Sequence, residues 1–329
     1  MRYVGTAQGM ESKLVPPTGI PLFTVKTGAV KNQSPLKIAR TLLLLMRAVF
    51  WSLAFLRREK PDAVLGVGGY VSVPVCFAAF LLRIPIYLQE QNVSVGIANR
   101  FLGKLSRKIF LGFSQAAQYF PKGRSIVSGN PVRKDFLRSD FPKLNPQAES
   151  LFIFGGSQGA KSINDALLAM LPELLVTFPK LTILHQTGEK DLANVTATYA
   201  ALWPNGNYRV QPFVTDMYDA YAKASLVICR SGALTTSELI QVGRPSLLVP
   251  YPRKGQNDQT SNAYFLQENK VARVAEQGEN FHDRFRTTLL ETFVSPVLGD
   301  MGSHFSRLRL VNPLVTIADH IVRDLDLPK

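Results

Sequence analysis

The sequence predicts an α/β protein built on parallel sheets, because short apolar runs alternate with amphipathic stretches along the whole chain. Strands that are separated by helices pair in parallel. Two of the predicted strands run into glycine turns, which commonly connect a strand to a helix. The predicted strands include residues 63–65, 86–88, 151–154, 181–184 and 226–229.

The length of 329 residues indicates two domains, each long enough to bury its own core. The alternating pattern breaks at residues 129–133, and a polar, proline-containing stretch follows at 138–150. We therefore expect domains at 1–137 and 138–312. Pro313 opens a segment that predicts a last helix over 314–325, and we expect residues 313–329 to complete the first domain.

The net charge of +14 is concentrated in the first half of the chain. Residues 1–145 contain 21 Lys and Arg against 6 Asp and Glu, whereas the remainder contains 17 against 18. A basic half beside a neutral half indicates an anionic partner for one domain only. An anionic membrane surface and nucleic acid are the candidates. No nucleic-acid-binding module or aromatic-interleaved basic surface is recognisable, so we expect no nucleic acid partner.

The two cysteines, Cys76 and Cys229, are far apart in the sequence. They form neither a disulfide framework nor a close pair of metal ligands, and they fit a reducing cytoplasm. We therefore expect no metal, and no motif in the chain predicts a cofactor.

Residues 36–58 are the most hydrophobic region of the chain, and Arg47 divides them into pieces too short to span a bilayer. Basic residues flank the region at Lys37, Arg40, Arg57, Arg58 and Lys60. This pattern is typical of a helix that lies in the membrane interface with its cations on the headgroups. A buried helix of an α/β domain is the alternative.

Two glycine loops predict anion sites, at residues 66–70 and 155–160, each between a predicted strand and a predicted helix. Backbone N–H groups in such loops approach an anion closely, and Ser157 is placed to cap a helix whose dipole favours negative charge. A tight turn without a ligand is the alternative. Two such loops facing each other across a cleft would suit a reaction between two phosphorylated substrates.

Glu238 lies in a third turn of small residues, after the predicted strand 226–229. The spacing from Thr235 to Glu238 matches a capping box, in which the glutamate serves only the helix end. The alternative is a carboxylate that accepts two hydrogen bonds from a ribose diol.

A series of motifs now resembles, in order and spacing, the MurG family of membrane-associated glycosyltransferases of peptidoglycan synthesis. The motifs are residues 66–72, Glu90 to Asn92 with Gly96 and Asn99, 129–133, 155–160 with Asn164, 185–188, 213–217, 230–238, and Gln259 with Asn262 and Ala263. The match runs from about Gly5 to Ala272 and continues loosely to the end.

The resemblance implies a GT-B fold, with two Rossmann-like parallel-sheet domains facing across a cleft. It also implies an inverting transfer of N-acetylglucosamine from UDP-GlcNAc to the muramyl 4-hydroxyl of undecaprenyl-diphosphoryl-MurNAc-pentapeptide (lipid I), which gives lipid II. The implied place is the cytoplasmic face of the bacterial inner membrane, as a peripheral protein. The matching donor contacts are Asn92, Arg133, Ser157, Val214, Ala233, Leu234, Thr235, Thr236, Ser237, Glu238 and Gln259.

In these assignments the C-terminal domain holds the donor, and Asn92 and Arg133 reach it from the other side of the cleft. The Ser157 loop meets the diphosphate, the Val214 backbone reads uracil and Glu238 binds the ribose. Arg133 supplies a fixed cation for phosphate charge.

The N-terminal domain would hold the acceptor, with Gly68, Gly69 and Tyr70 near the lipid diphosphate and Glu90 near the reacting hydroxyl. The departing UDP is an anion, which Arg133 and the helix after Ser157 would stabilise without an obligatory metal. His185 belongs to a structural stretch of the family pattern, and we expect it to be a hydrogen-bonded histidine and not a catalytic base.

The chain departs from the family pattern at its start. Family members open with a strand and a glycine-rich loop that supplies the usual histidine base, whereas residues 1–6 match the second strand of the family. No histidine precedes His185, and Gln89 stands where the family usually has histidine. A late start codon, a fragment and a degenerate copy are the three explanations, and we expect a poor transferase if Glu90 must act alone.

Two other functions compete with the transferase. A related GT-B enzyme that uses the same donor, such as a UDP-GlcNAc epimerase or a glycolipid synthase, is disfavoured by the motifs at 68–70 and 90–92. A noncatalytic UDP-sugar-binding membrane protein is suggested only by the missing opening unit.

Overall fold

The structure, a computed structural model, describes residues 1–26, 35–138, 141–252, 258–309 and 312–326. The side chains of Lys37 and Arg40 lie outside the described residues, as do residues 327–329 of the segment 313–329 that we expect to complete the first domain. The chain divides into two compact units. The first comprises Met1–Gln91, Val95–Gly129 and Val315–Lys329, and the second comprises Asn92–Ser94 and Asn130–Leu314.

The first unit contains two parallel sheets. Strands β1 (Tyr3–Gly5) and β2 (Leu22–Thr24) form one pair, and β3 (Val64–Gly66), β4 (Ile86–Glu90), β5 (Lys108–Leu111) and β6 (Ser125–Val127) form a four-stranded sheet in that order. The helices between these strands are α1 (Glu11–Leu14), α2 (Pro35–Glu59), α3 (Gly69–Leu81) and α4 (Ile97–Leu105).

The second unit has a six-stranded parallel sheet in the order β12-β11-β10-β7-β8-β9. Its strands are β7 (Ser150–Phe154), β8 (Thr182–Gln186), β9 (Tyr208–Gln211), β10 (Leu226–Cys229), β11 (Ser246–Leu248) and β12 (Ala272–Val274). Its helices are α5 (Lys161–Thr177), α6 (Leu192–Leu202), α7 (Met217–Lys223), α8 (Ala233–Val242), α9 (Asp258–Glu268), α10 (Phe281–Thr292) and α11 (Ser295–His304).

Strand β7 lies inside the second sheet, and its apolar run Leu151 to Phe154 is buried. Leu151 and Ile153 pack on helices α5 and α10 through residues such as Leu167 and Phe285. A central parallel strand is covered on both faces, which explains why this stretch is continuously apolar and does not alternate.

The last helix, α12 (Pro313–Asp324), begins at the proline that the sequence indicated. Ile317 packs with Tyr87 and Phe110 of the four-stranded sheet. The Tyr87 hydroxyl donates a hydrogen bond of 2.5 Å to Asp324, and Arg107 lies 2.7 Å from the same carboxylate. These contacts explain why the chain end is grouped with the first unit.

The boundary between the units falls at Gly129 and Asn130, whereas the sequence analysis placed it after residue 137. The physical reason is Phe136, which is 1% exposed and packs edge-on against Tyr221 with ring centroids 5.5 Å apart. This contact attaches residues 130–137 to the second unit.

Helix α2 has one buried face and one face with exposed apolar side chains. Ala48, Ser52, Phe55 and Leu56 are buried, and Phe55 stacks on Trp51. The large apolar side chains that are exposed on the described part of the same helix are those of Leu42, Leu43, Met46 and Phe50. Among the described residues, no helix is both long enough and apolar enough to cross a bilayer.

Candidate functional site

A cavity of about 560 Å³ lies at the carboxyl ends of the central strands of the second unit. The loops that follow β7 and β10 meet there because parallel strands present their carboxyl ends at one edge of the sheet. The lining residues are Phe154, Gly155, Gly156, Gly159, Ala160, Lys161, Ser162, Arg230, Gly232, Thr235, Tyr251, Pro252, Gln259 and Gln277.

The glycine loop that follows β7 forms one wall of the cavity. Gly156 has φ +92° and Gly159 has φ +74°, a backbone region that favours glycine. Helix α5 begins at Lys161 with Ala160 at the N-cap, so the expectation that Ser157 caps this helix is wrong. Ser157 is exposed on the loop, close in sequence to the first turn of α5, where N–H groups at a helix start suit a phosphate.

Arg230 is a cavity residue to which the sequence analysis gave no role. Its guanidinium donates to the carbonyl oxygens of Val249 and Pro250 at 3.1 and 3.2 Å, to Gln277 Oε1 at 2.7 Å and to Ser162 Oγ at 3.0 Å. Burial lowers the pKa of the guanidinium, which still stays protonated at neutral pH. The guanidinium therefore gives the cavity a positive charge, and its hydrogen bonds fix the position of that charge.

The sequence feature that could have predicted a role for Arg230 is its position directly after a predicted strand and before a glycine turn. Ser162, Tyr251 and Gln277 carried no comparable signal, because they lie far from Arg230 in sequence and only the sheet brings them to one cavity.

Glu238 is a partly buried carboxylate on helix α8, and the capping-box interpretation is wrong. The N-cap of α8 is Gly232, so Thr235 already lies inside the first turn. Glu238 Oε2 accepts a hydrogen bond of 3.1 Å from the Tyr221 hydroxyl, and Oε1 lies 3.7 Å from Arg133 Nε. Burial raises the pKa of this carboxyl, while Arg133 and Tyr221 oppose the rise.

Asn92 and Arg133 both belong to the second unit, whereas the resemblance had assigned them to the opposite side of the donor. Asn262, which is completely buried, donates to Asn92 Oδ1 at 3.1 Å and accepts from the backbone N–H of Val93 at 3.0 Å. Gln259, on the same helix, lines the cavity and accepts from the Tyr251 N–H at 3.0 Å.

The Val214 backbone N–H is already used within the protein. It donates to Gln186 Oε1 at 2.8 Å, and Val214 is 4% exposed. Because the Val214 N–H already donates to Gln186, we assign any contact with a uracil base to the Val214 carbonyl oxygen.

The donor residues expected at 233–237 divide between the cavity and the helix. Thr235 lines the cavity and Leu234 is exposed, whereas Thr236 and Ser237 are buried and bond back to the Ala233 carbonyl at 3.0 and 2.8 Å. Both hydroxyl groups are therefore used within the protein, and the Ser237 hydroxyl also accepts from Asn130 Nδ2 at 2.9 Å.

His185 lies within strand β8 and is completely buried. Its Nε2 is 3.0 Å from Asn164 Oδ1 and its Nδ1 is 3.3 Å from the Tyr199 hydroxyl. Burial lowers the pKa of the imidazole to about 3. The expectation of a hydrogen-bonded structural histidine is confirmed.

In the first unit, the loop after β3 and the end of β4 form a second polar site. Glu90 is 3% exposed and accepts from Asn99 Nδ2 at 2.8 Å. Gln91 donates to the Val67 carbonyl at 2.9 Å, and Gly68 and Gly69 have φ of +93° and +76°. Gln89, also buried, accepts from Gln91. Tyr70 is about half exposed beside this loop.

Comparison with known proteins identifies the family. The Glycosyltransferase family 28 N-terminal domain model matches residues 1–111, and its C-terminal domain counterpart matches residues 150–296. A UDP-N-acetylglucosamine–N-acetylmuramyl-(pentapeptide) pyrophosphoryl-undecaprenol N-acetylglucosamine transferase of Syntrophotalea carbinolica is 44% identical over 264 residues, which cover 80% of this chain and 73% of the relative.

Solved structures give the same result. MurG of Acinetobacter baumannii matches with a TM-score of 0.77 and 30% identity, covering 98% of this chain and 90% of that chain. A UDP-GlcNAc 2-epimerase of Neisseria meningitidis matches with a TM-score of 0.61 and 16% identity, covering 98% and 91%, which shows a shared fold alone. The chain therefore belongs to the MurG family, within glycosyltransferase family 28, and has its GT-B fold.

Proposed function

We propose that the protein transfers N-acetylglucosamine from UDP-GlcNAc to the muramyl 4-hydroxyl of lipid I, with inversion, and so forms lipid II. The observation that carries the proposal is the cavity of the second unit, where a glycine loop at a helix start meets the partly buried guanidinium of Arg230. Membership of the MurG family supports the same reaction.

The donor is assigned to the second unit. Backbone N–H groups near Ser157 and the charge of Arg230 suit a diphosphate, because both favour negative charge in a partly desolvated site. Glu238 is assigned to the ribose hydroxyls, since a partly buried carboxylate accepts strong hydrogen bonds. Gln259 and Asn92 are assigned to sugar hydroxyls, and the Val214 carbonyl to the N–H of uracil.

The acceptor is assigned to the first unit. Gly68 and Gly69 give its loop the close backbone approach that a lipid diphosphate needs, with Tyr70 beside them. The 4-hydroxyl oxygen attacks the anomeric carbon, the bond from that carbon to UDP breaks, and the hydroxyl proton leaves. Glu90 is assigned to accept this proton or to orient the hydroxyl, because it is the buried carboxylate beside that loop.

An anionic membrane surface at the cytoplasmic face is the proposed place of action, since lipid I is a membrane lipid. Four exposed apolar side chains of α2, at Leu42, Leu43, Met46 and Phe50, form a strip that could enter the interface. Arg57 and Arg58 are exposed near the end of the same helix and suit anionic headgroups.

The proposal is tested with radiolabelled UDP-GlcNAc and a short-chain lipid I analogue. We expect label to enter a product whose mass has gained one N-acetylglucosamine, with a β linkage. UDP binding without transfer would instead support the noncatalytic UDP-sugar-binding protein. Absence of UDP binding in calorimetry would contradict the donor assignment itself.

A further inference from the structure

Gln186 links two loops of the second unit through a single side-chain amide. Its Nε2 donates to the Gly156 carbonyl at 2.9 Å, and its Oε1 accepts from the Val214 N–H at 2.8 Å. Gln186 is the last residue of β8, between β7 and β9, and it is 2% exposed. One buried group therefore connects the glycine loop after β7 to the loop after β9.

The bond to Gly156 decides which backbone groups the glycine loop can offer. The Gly156 carbonyl oxygen also accepts from the Gly159 N–H at 2.9 Å, so the protein itself supplies two donors to this oxygen. A carbonyl oxygen turned toward a bound diphosphate would repel it. Holding this oxygen in protein hydrogen bonds leaves the loop to present N–H groups.

The second loop is held against the same strand end. The Thr187 N–H donates to the Gln211 carbonyl at 2.9 Å, and the Gly188 N–H donates to the Pro212 carbonyl at 3.1 Å. A Cβ on Gly159 would collide with the Thr187 carbonyl oxygen, and a Cβ on Gly188 would collide with the Gln158 carbonyl oxygen. The backbone of residues 187–188 therefore contacts the backbone of both loops, and the Gln186 side chain links the two loops to each other.

We propose that Gln186 is a positioning residue that fixes the spacing between the glycine loop and the Val214 loop, so that one nucleoside diphosphate reaches both. This inference rests on the proposed function, which assigns the diphosphate to the first loop and uracil to the second. Glutamine suits the role because its amide carries a donor and an acceptor at one end. Fixed spacing lowers the cost of binding a ligand that spans two subsites.

The test compares UDP with uridine in the full chain and in Gln186→Met, which keeps side-chain length and removes both hydrogen bonds. We expect Kd for UDP to rise about tenfold or more, because misplacing one subsite by about 1 Å has large effects. Kd for uridine, which lacks the diphosphate and uses the Val214 loop and Glu238 but not the glycine loop, is expected to change less than about threefold. KM for UDP-GlcNAc should follow Kd for UDP.

Gln211→Met is the matched control, because Gln211 is the register partner of Gln186 on β9 and its side chain forms no hydrogen bond found among the described residues. It should leave both affinities unchanged. Equal weakening of UDP and uridine in Gln186→Met would overturn the positioning role, since it would indicate local damage to the Val214 loop. Unchanged UDP affinity would overturn it as well.

Two further measurements keep the proposal testable if a variant or the donor assignment fails. Gln186→Glu retains the acceptor for the Val214 N–H and removes the donor for the Gly156 carbonyl. If Gln186→Met does not fold, we expect Gln186→Glu to weaken UDP binding more than uridine binding. Equal effects on the two ligands would overturn the proposal. If the parent chain does not bind UDP, the proposed function fails separately. Hydrogen exchange then decides, because faster exchange at both Gly159 and Val214 in Gln186→Met supports the link and unchanged exchange contradicts it.

Discussion

The Tyr221 hydroxyl donates a hydrogen bond of 3.1 Å to Oε2 of Glu238, so a buried phenol holds the carboxylate that we assign to the ribose. Two substitutions separate these roles. Glu238→Ala leaves the Tyr221 hydroxyl without its acceptor and should destabilise the fold by about 1–3 kcal/mol. Glu238→Gln keeps an acceptor and should unfold at nearly the parent urea concentration.

Both variants should bind UDP more weakly in calorimetry, because each loses charge-assisted hydrogen bonds to the ribose. Neither loses a helix cap, since the N-cap of α8 is Gly232. Parent-like UDP affinity in both variants would show that Glu238 serves only Tyr221 and Arg133.

Donor binding should also depend on pH through Glu238. Burial raises the pKa of this carboxyl, so it takes up a proton at a higher pH than an ordinary glutamate. The ionised form is the stronger acceptor for ribose hydroxyls, and affinity for UDP-GlcNAc should therefore fall as pH is lowered through this raised pKa. UDP-GlcNAc is the suitable ligand because its diphosphate is esterified at both ends and therefore has no terminal phosphate group that titrates near neutral pH. Calorimetry on Glu238→Gln should show a flatter pH profile, and equal profiles would contradict the assignment.

Two glycines of one loop should differ sharply in their tolerance of alanine. Gly156 has φ +92° and open space where a Cβ would stand, so Gly156→Ala should cost roughly 1–2 kcal/mol from backbone conformation alone. Gly159 has φ +74° and no room beside the Thr187 carbonyl, so Gly159→Ala must move backbone and should cost more. Urea unfolding and UDP calorimetry measure both effects. Equal stability of the two variants would contradict the tight contact between the loops.

Membrane binding should require the exposed strip of α2. Met46→Ser with Phe50→Ser removes side chains that are 52% and 70% exposed, and should reduce sedimentation with anionic vesicles. Arg57→Ser with Arg58→Ser should weaken binding by about 1 kcal/mol per cation at low salt, and added salt should weaken the parent protein similarly. Val176→Ser, at an 85% exposed position of the second unit, is the control. Equal binding to neutral vesicles would contradict the electrostatic part of the prediction.

Glu90 should affect turnover and leave donor affinity unchanged, because it belongs to the first unit. Glu90→Gln preserves an acceptor for Asn99 and removes the basic carboxylate. Loss of a general base typically lowers the rate about a hundred- to ten-thousand-fold. We therefore expect kcat for lipid II formation to fall while Kd for UDP stays at the parent value. A parent-like kcat would exclude Glu90 as the base.

Much of the fold follows from local patterns. Buried strands such as 151–154 and 226–229 are continuously apolar, and glycines follow them where the backbone must turn. Helix α12 begins at Pro313, where proline removes no needed N–H group. These elements were predictable because their causes lie within a few residues of sequence.

The capping box at Thr235 and Glu238 shows where such patterns fail. The spacing fits, but the Thr236 N–H bonds to the Gly232 carbonyl at 2.9 Å, so the helix starts earlier. Glu238 is then free to contact Tyr221 and Arg133, which are distant in sequence. The domain boundary moved for a similar reason, since the packing of Phe136 on Tyr221 has no sequence signature.

The sequence by itself determined the α/β class, the family, and the glycine loops that suit phosphate, because local chemistry and motif order carry that information. Only the tertiary structure decided that Arg230 meets Ser162 and Gln277, and that Gln186 joins Gly156 to Val214. The physical reason is that strand order in a parallel sheet brings distant segments to one edge, and local sequence does not encode those distances.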